Sequence, residues 1–127
     1  DDVRFGIRTF TLSPQCGLTM NGMPLKLKGA GMHHENGPAG AITLDSIEER
    51  KIRMLKNVGF NAVRTAHTPP SPAFLRACDK YGMLVMLELF DTCGHEKVCF
   101  DNTLTFQNPG KPIWKRSCPW HIVILPC

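Results

Sequence analysis

Three short polar clusters, each standing just after an apolar stretch, hold most of the side chains in this chain that could do chemistry: His33 and His34, Arg64 and His67, and Glu88 and Asp91. Together they offer imidazole, guanidinium and carboxylate groups, which are donors and acceptors in fixed directions with little net charge. Such an inventory suits a neutral, hydroxyl-rich ligand such as a sugar. Plainer roles are open to the same residues. A loop histidine can simply satisfy nearby backbone groups, and Arg64 can be the ion-pair partner of Glu88. Residue chemistry alone therefore reaches a polar small-molecule pocket, provided that the three clusters meet.

The pattern between the clusters is what would bring them together. Phe5-Gly-Ile-Arg-Thr-Phe-Thr-Leu12, closed by Ser13-Pro14, reads as a strand. Leu18-Thr-Met20 and Met23-Pro-Leu-Lys-Leu-Lys28 flank Asn21-Gly22, the dipeptide that best supplies the two positive φ angles of a tight hairpin. Gly29-Ala-Gly-Met-His-His-Glu-Asn-Gly-Pro38 reads as a glycine-rich loop, and no Gly-Lys-Ser/Thr follows to make it a phosphate cradle. Asp45 to Val58 reads as a helix, with Asp45 and Glu48 spaced as a capping box and Gly59 placed to end it. Ile47, Met54 and Val58, with Leu55 beside them, are its expected buried arc.

Phe60 to Val63 then reads as a strand leading to Arg64 and His67, and Thr68-Pro-Pro-Ser-Pro72 stops it. Ser71 and Pro72 have the form of a helix start, and the helix runs to Tyr81 before Gly82. Met83-Leu-Val-Met-Leu87 is apolar without alternation, as expected of a strand buried on both faces of a parallel sheet. From Leu25 to Phe90 the order is thus strand, helix, strand, helix, strand, with crossovers long enough to make neighbouring strands parallel. In such a sheet the C-terminal strand ends share one edge, so the three polar clusters should converge there.

Size and composition set outer limits. The chain has 127 residues, 43% hydrophobic and 20% charged, which is one ordinary domain's worth of packable sequence. Its net charge of +4 is spread over fifteen basic and eleven acidic residues without a dense Lys/Arg run, which argues against a nucleic-acid surface. No apolar run approaches the ~18 residues that a membrane span needs. The start, Asp1-Asp-Val-Arg, lacks the form of a signal peptide, and the missing methionine suggests a chain cut from something longer. None of Cys16, Cys78, Cys93, Cys99, Cys118 and Cys127 forms a Cys-x-x-Cys pair, and Cys78 falls on the apolar face of a helix, where a thiol packs as a small hydrophobe. Cys93, His95 and Cys99 are zinc-type ligands without a fourth partner, so no metal or other cofactor is expected.

Three stretches also carry a resemblance. Asn21-Gly-Met-Pro-Leu-Lys-Leu-Lys-Gly-Ala-Gly-Met-His-His-Glu-Asn-Gly-Pro38, then Gly59-Phe-Asn-Ala-Val-Arg-Thr-Ala-His-Thr-Pro-Pro-Ser-Pro-Ala-Phe74, then Cys78-Asp-Lys-Tyr-Gly-Met-Leu-Val-Met86 resemble the opening of the catalytic barrel in glycoside hydrolase family 2. That family includes β-galactosidases, β-glucuronidases and β-mannosidases, and the likeness runs in order from about Phe5 to Asp91. It implies an α/β fold, an incomplete (β/α)8 TIM barrel of about three βα units out of eight, preceded by a β-strand and hairpin lead-in. The implied division is residues 1–24 as the end of a preceding β module with the hairpin, 25–106 as partial barrel, and 107–127 as a divergent tail rich in proline.

For the site, the resemblance implies a carbohydrate ligand, a β-glycoside. His33 best matches a sugar-holding histidine of the family's first loop, Arg64 and His67 match its arginine-to-histidine motif, and Glu88 aligns with an acidic position at the end of the third strand. The family's usual Asp-Glu-Ala is here Leu87-Glu88-Leu89, a local departure. A larger departure concerns catalysis. Retaining glycosidases use two carboxylates about 5 Å apart, and in this family the acid/base follows an asparagine at the end of strand four while the nucleophile lies near strand seven. The chain contains no Asn-Glu dipeptide, so no residue in it is expected to be catalytic. Barrel strands without their neighbours expose an edge and an apolar face, which favours self-association.

Overall fold

The computed structural model describes residues 6–88 and the strand at 123–125. Phe5, Asp91, the Cys93/His95/Cys99 set, the extended piece at Leu104 to Phe106 and most of the tail lie outside the described residues.

Two sheets form. The first is antiparallel and has three strands in sequence order, β1 (Phe10–Ser13), β2 (Gly17–Met20) and β3 (Met23–Pro24). Its second turn is the one that Asn21-Gly22 announces: their φ angles are 52° and 80°, so both central residues are left-handed, as this two-residue hairpin requires. Asn21 also ties the turn back to the chain, accepting from the Thr9 amide through Oδ1 at 3.0 Å and donating its own amide to the Thr9 carbonyl at 2.9 Å. The first strand lies later than its composition suggests, and the returning arm is a strand only to Pro24, although the Leu25 amide still donates to the Leu18 carbonyl at 2.8 Å.

The second sheet has the order β4 (Gly29–Met32), β5 (Ala62–Thr65), β6 (Leu84–Leu87) and β7 (Val123–Leu125). The first three are parallel, with Gly31, Arg64 and Met86 side by side. β7 runs antiparallel on β6, setting Ile124 opposite Met86.

Here the structure corrects the sequence reading. The first parallel strand is not Leu25 to Lys28 but Gly29–Met32, which the glycines had disguised as loop. Gly29 lies so close to β5 that a Cβ there would stand 2.3 Å from the Ala62 carbonyl oxygen, so this glycine permits the contact. Asn61 then locks the approach, accepting from the Lys28 amide through Oδ1 at 2.7 Å and donating through Nδ2 to the Lys26 carbonyl at 2.9 Å. β5 likewise begins two residues beyond Phe60, which puts Arg64 inside the strand.

Two helices cover one face of this sheet. In α2 (Pro72–Tyr81) every boundary signal works as expected: Ser71 Oγ accepts from the Phe74 amide at 3.1 Å, Pro72 opens the helix, and Gly82 ends it at φ 63°. α1 (Asp45–Asn57) departs from expectation at both levels. Leu44 occupies the N-cap and no side chain caps the helix; Asp45 instead reaches Arg76 of α2 at 2.6 Å, and Glu48 turns inward. The buried arc is Glu48 and Ile52 with Leu55 at its border, while Met54 and Val58 are 54% and 73% exposed.

The physical reason is that apolar residues lie on more than one arc of α1. Which arc is buried was then decided by partners: Asn36 and Lys51 meet the Glu48 carboxylate, and the arc carrying Ile52 meets α2. The resulting core is Ile52, Val63, Phe74, Ala77, Cys78, Met83 and Val85. Cys78 is indeed a packing residue at 1% exposure. At the far end of the helix pair, Lys80 donates to Glu49 Oε2 at 2.8 Å, and this hydrogen bond raises the lysine pKa above its ordinary 10.5.

Among the described residues, no element covers the other face of the sheet. Leu27, Gly29, Gly31, Ala62, Arg64 and Met86 help to line a broad apolar depression of about 330 Å³. The third strand is buried on both faces at its start, with Leu84 at 7% and Val85 at 1% exposed, and only half-buried further on at Met86 and Leu87. Among the described residues, no helix is long and apolar enough to cross a membrane.

Candidate functional site

Parallel pairing brings the ends of β4, β5 and β6 to one edge, and four of the six singled-out residues meet there. Arg64 donates through Nε to Glu88 Oε1 at 2.7 Å, and its Nη2 bonds the same oxygen. His67 Nδ1 stands 3.7 Å from the other oxygen, Oε2, and the His67 ring lies 5.3 Å from that of His33. The Ala66–His67 peptide is cis.

Backbone bonds fix this arrangement. The Glu88 amide donates to Thr65 Oγ1 at 3.1 Å, which joins the ends of β5 and β6, and the Ala66 amide donates to the Met32 carbonyl at 2.9 Å, which joins β4 to β5. Thr65 is 3% exposed, so its hydroxyl is a buried strut. The reactive groups are more accessible, with the side chains of Arg64 and His67 47% and 45% exposed and that of Glu88 25% exposed.

The two Glu88 oxygens differ. Oε1 takes both guanidinium bonds, whereas Oε2 is shielded from solvent and has no hydrogen-bond partner. A carboxylate oxygen held in this way has acceptor capacity that no hydrogen bond uses. The ion pair between Arg64 and Glu88 thus satisfies the structural reading of the arginine and still leaves the carboxylate half-available.

His34, half-buried where His33 is exposed, helps with His33 to line a narrow cleft toward the helices, together with Glu48, Lys51, Thr65 and Phe74. Asp91 lies outside the described residues. Among those described, no group of three His, Cys, Asp or Glu side chains could hold a metal ion.

Comparison with known proteins agrees with this topology. Residues 15–115 match the model of "Glycosyl hydrolases family 2, TIM barrel domain". The chain belongs to glycosyl hydrolase family 2. A β-galactosidase of Bacteroides ovatus is 42% identical over 96 residues, which is 76% of this chain but 11% of that enzyme. A solved family 2 member from Bacteroides cellulosilyticus superposes with a TM-score of 0.76 at 46% identity, over 82% of this chain and 13% of its own. The β-glucuronidase of Parabacteroides merdae superposes with a TM-score of 0.67 at 28% identity, over 76% of this chain and 12% of its own. The chain thus spans roughly an eighth of the length of these family 2 relatives.

Its three parallel strands and two helices are part of the family's barrel domain, from the N-terminal side. What the residues alone did not reveal is a second polar cluster on the helix side. Glu48 is 1% exposed; its Oε1 accepts from Asn36 Nδ2 at 2.9 Å, and Lys51 Nζ lies 3.0 Å from Oε2. That last contact is an ion pair off the hydrogen-bond direction, which is why Oε2 still has no hydrogen-bond partner. A weak signal was present, since a glutamate on the arc of Ile52 is out of place on a core face unless something meets it.

Proposed function

We propose that this chain carries part of the sugar subsite of a retaining glycoside hydrolase acting on β-glycosides, of the β-galactosidase kind. The substrate-binding groups in this reading are His33, His34, Arg64, His67, Glu88 and Asp91, the last of which lies outside the described residues. The observation that carries it is Glu88: one oxygen is pinned by Arg64, the other is unbonded and faces His67 at 3.7 Å. An acceptor and an imidazole at that separation can clamp one hydroxyl or two neighbouring hydroxyls of a pyranose ring.

The partner is a neutral carbohydrate. Residues 1–24 are the end of a preceding β module with its hairpin, 25–106 the partial barrel and 107–127 a tail. These 127 residues contain no Asn-Glu dipeptide, so a polypeptide of just these residues is expected to bind without hydrolysing. Assay with a nitrophenyl β-galactoside and the corresponding β-glucuronide tests this. Turnover that is lost on His67→Ala would overturn it.

A second reading is a barrel-derived carbohydrate-binding or self-associating scaffold. It is favoured by β7, which closes the outer edge of β6 in the antiparallel sense, whereas a TIM barrel is made of parallel strands throughout. Among the described residues β4 is then the unpaired edge, and edge pairing between copies would bury it. A single monodisperse oligomer in sedimentation supports this reading; a monomer at all concentrations removes it.

A further inference from the structure

The chain between Met32 and Asn36 is a three-residue bridge, His33-His34-Glu35, and both of its ends are anchored. Upstream, Met32 pairs in register with Thr65, and its carbonyl accepts from the Ala66 amide at 2.9 Å. Downstream, Asn36 donates three hydrogen bonds, its amide to the Gly40 carbonyl at 2.8 Å, and Nδ2 to the Ile42 carbonyl at 2.8 Å and to Glu48 Oε1 at 2.9 Å. The first two bonds only fold the loop on itself. The bond to Glu48 alone ties it to α1, and hence to the core through Ile52, one turn further along the same helix.

We infer that Asn36 and Glu48 form a positioning pair that sets where His33 and His34 stand, without touching the ligand. A carboxylate at 1% exposure is a costly occupant of a helix face otherwise packed into the core. An apolar side chain would fill the same space without that cost, so what the glutamate adds is direction. It holds one amide at one distance and so makes the second end of the bridge as fixed as the first. Lys51, at 3.0 Å, supplies the countercharge from the same helix.

The inference rests on the sugar-site reading only for its consequence, and the two can be tested apart. In the 127-residue chain, histidine acylation by diethyl pyrocarbonate, resolved peptide by peptide, reads the loop itself. Glu48→Ala should raise the rate at half-buried His34 by about threefold or more relative to His67, as a locally opened segment does. Glu48→Gln keeps an oxygen for Asn36 and should restore the wild-type ratio. Ile52→Val, a core change that leaves the Asn36 bond intact, should leave the ratio unchanged and so separates loop release from general loosening. An unchanged ratio in Glu48→Ala, or a Gln variant as impaired as Ala, overturns the inference.

The ligand arm uses saturation-transfer NMR with isopropyl thio-β-galactoside. Weaker binding in Glu48→Ala, rescued by Gln, extends positioning to affinity. Wild-type chain that shows no binding removes the sugar reading and leaves the acylation result to decide the positioning pair.

Discussion

The chain holds two carboxylates built into similar company. Glu88 has an arginine and a histidine beside it at the open strand edge; Glu48 has a lysine and an asparagine beside it under the helices. Each has one oxygen in a good hydrogen bond and one without. What separates them is burial, 25% side-chain exposure against 2%. Neither unbonded oxygen touches solvent itself, but at the half-open edge the shielding side chains are themselves exposed, so a ligand that moves them reaches Glu88 Oε2. In the core, the same oxygen is a cost that only the anchored loop offsets. Residue type therefore nominates a site, and depth decides whether it binds or holds.

If depth is what distinguishes the two, their truncations should differ in kind. Glu48→Ala removes the countercharge of Lys51 and one hydrogen bond of Asn36 beneath the helices and should cost about 3 kcal/mol, read as a lower urea midpoint at unchanged slope. A loss below about 1 kcal/mol would mean that Glu48 is only weakly engaged. Next in size is Gly29→Ala, which forces β4 away from Ala62 and should cost about 2 kcal/mol by the same measurement. It tests whether the approach of β4 to β5 sets the edge on which Glu88 stands.

The Arg64–Glu88 pair lies at the other pole. Its guanidinium is 47% exposed, so Arg64→Met should change stability by less than about 1 kcal/mol while reducing sugar binding several-fold. A large stability loss with unchanged binding would make this edge structural after all. Smallest is Lys80 at the surface. Its pKa is raised in the fold by the hydrogen bond to Glu49, so the contact's contribution is fully present below the unfolded value of 10.5 and is lost only as pH rises through the folded value. Melting curves of wild type and Lys80→Gln should therefore keep a constant small offset through neutral pH and converge only in strong alkali.

Legibility in the sequence followed the same division. Ser71, Pro72 and Gly82 act locally, through one amide or one φ angle, and α2 forms where they say. Asn21-Gly22 is likewise a local device. The parallel order and the convergence of His33, Arg64, His67 and Glu88 follow from topology, which the alternation of strand and helix signals carries. The misreadings arose where a partner distant in sequence decides. Gly29 and Gly31 look like loop until Ala62 is brought against them. Asp45 and Glu48 look like a cap until Arg76 and Asn36 claim their carboxylates. Met54 and Val58 look like core until α1 is turned to bury Ile52.

The central claim is that the edge formed by Glu88, His67 and Arg64 receives a sugar. Saturation-transfer NMR on the 127-residue chain with isopropyl thio-β-galactoside, compared with the Glu88→Gln and Asp45→Ala variants, tests it most directly. The account predicts transfer to the sugar protons in wild type, unchanged transfer in Asp45→Ala, whose carboxylate is an exposed helix-pair partner, and strongly reduced transfer in Glu88→Gln. Equal transfer in all three, or none in wild type, would contradict it.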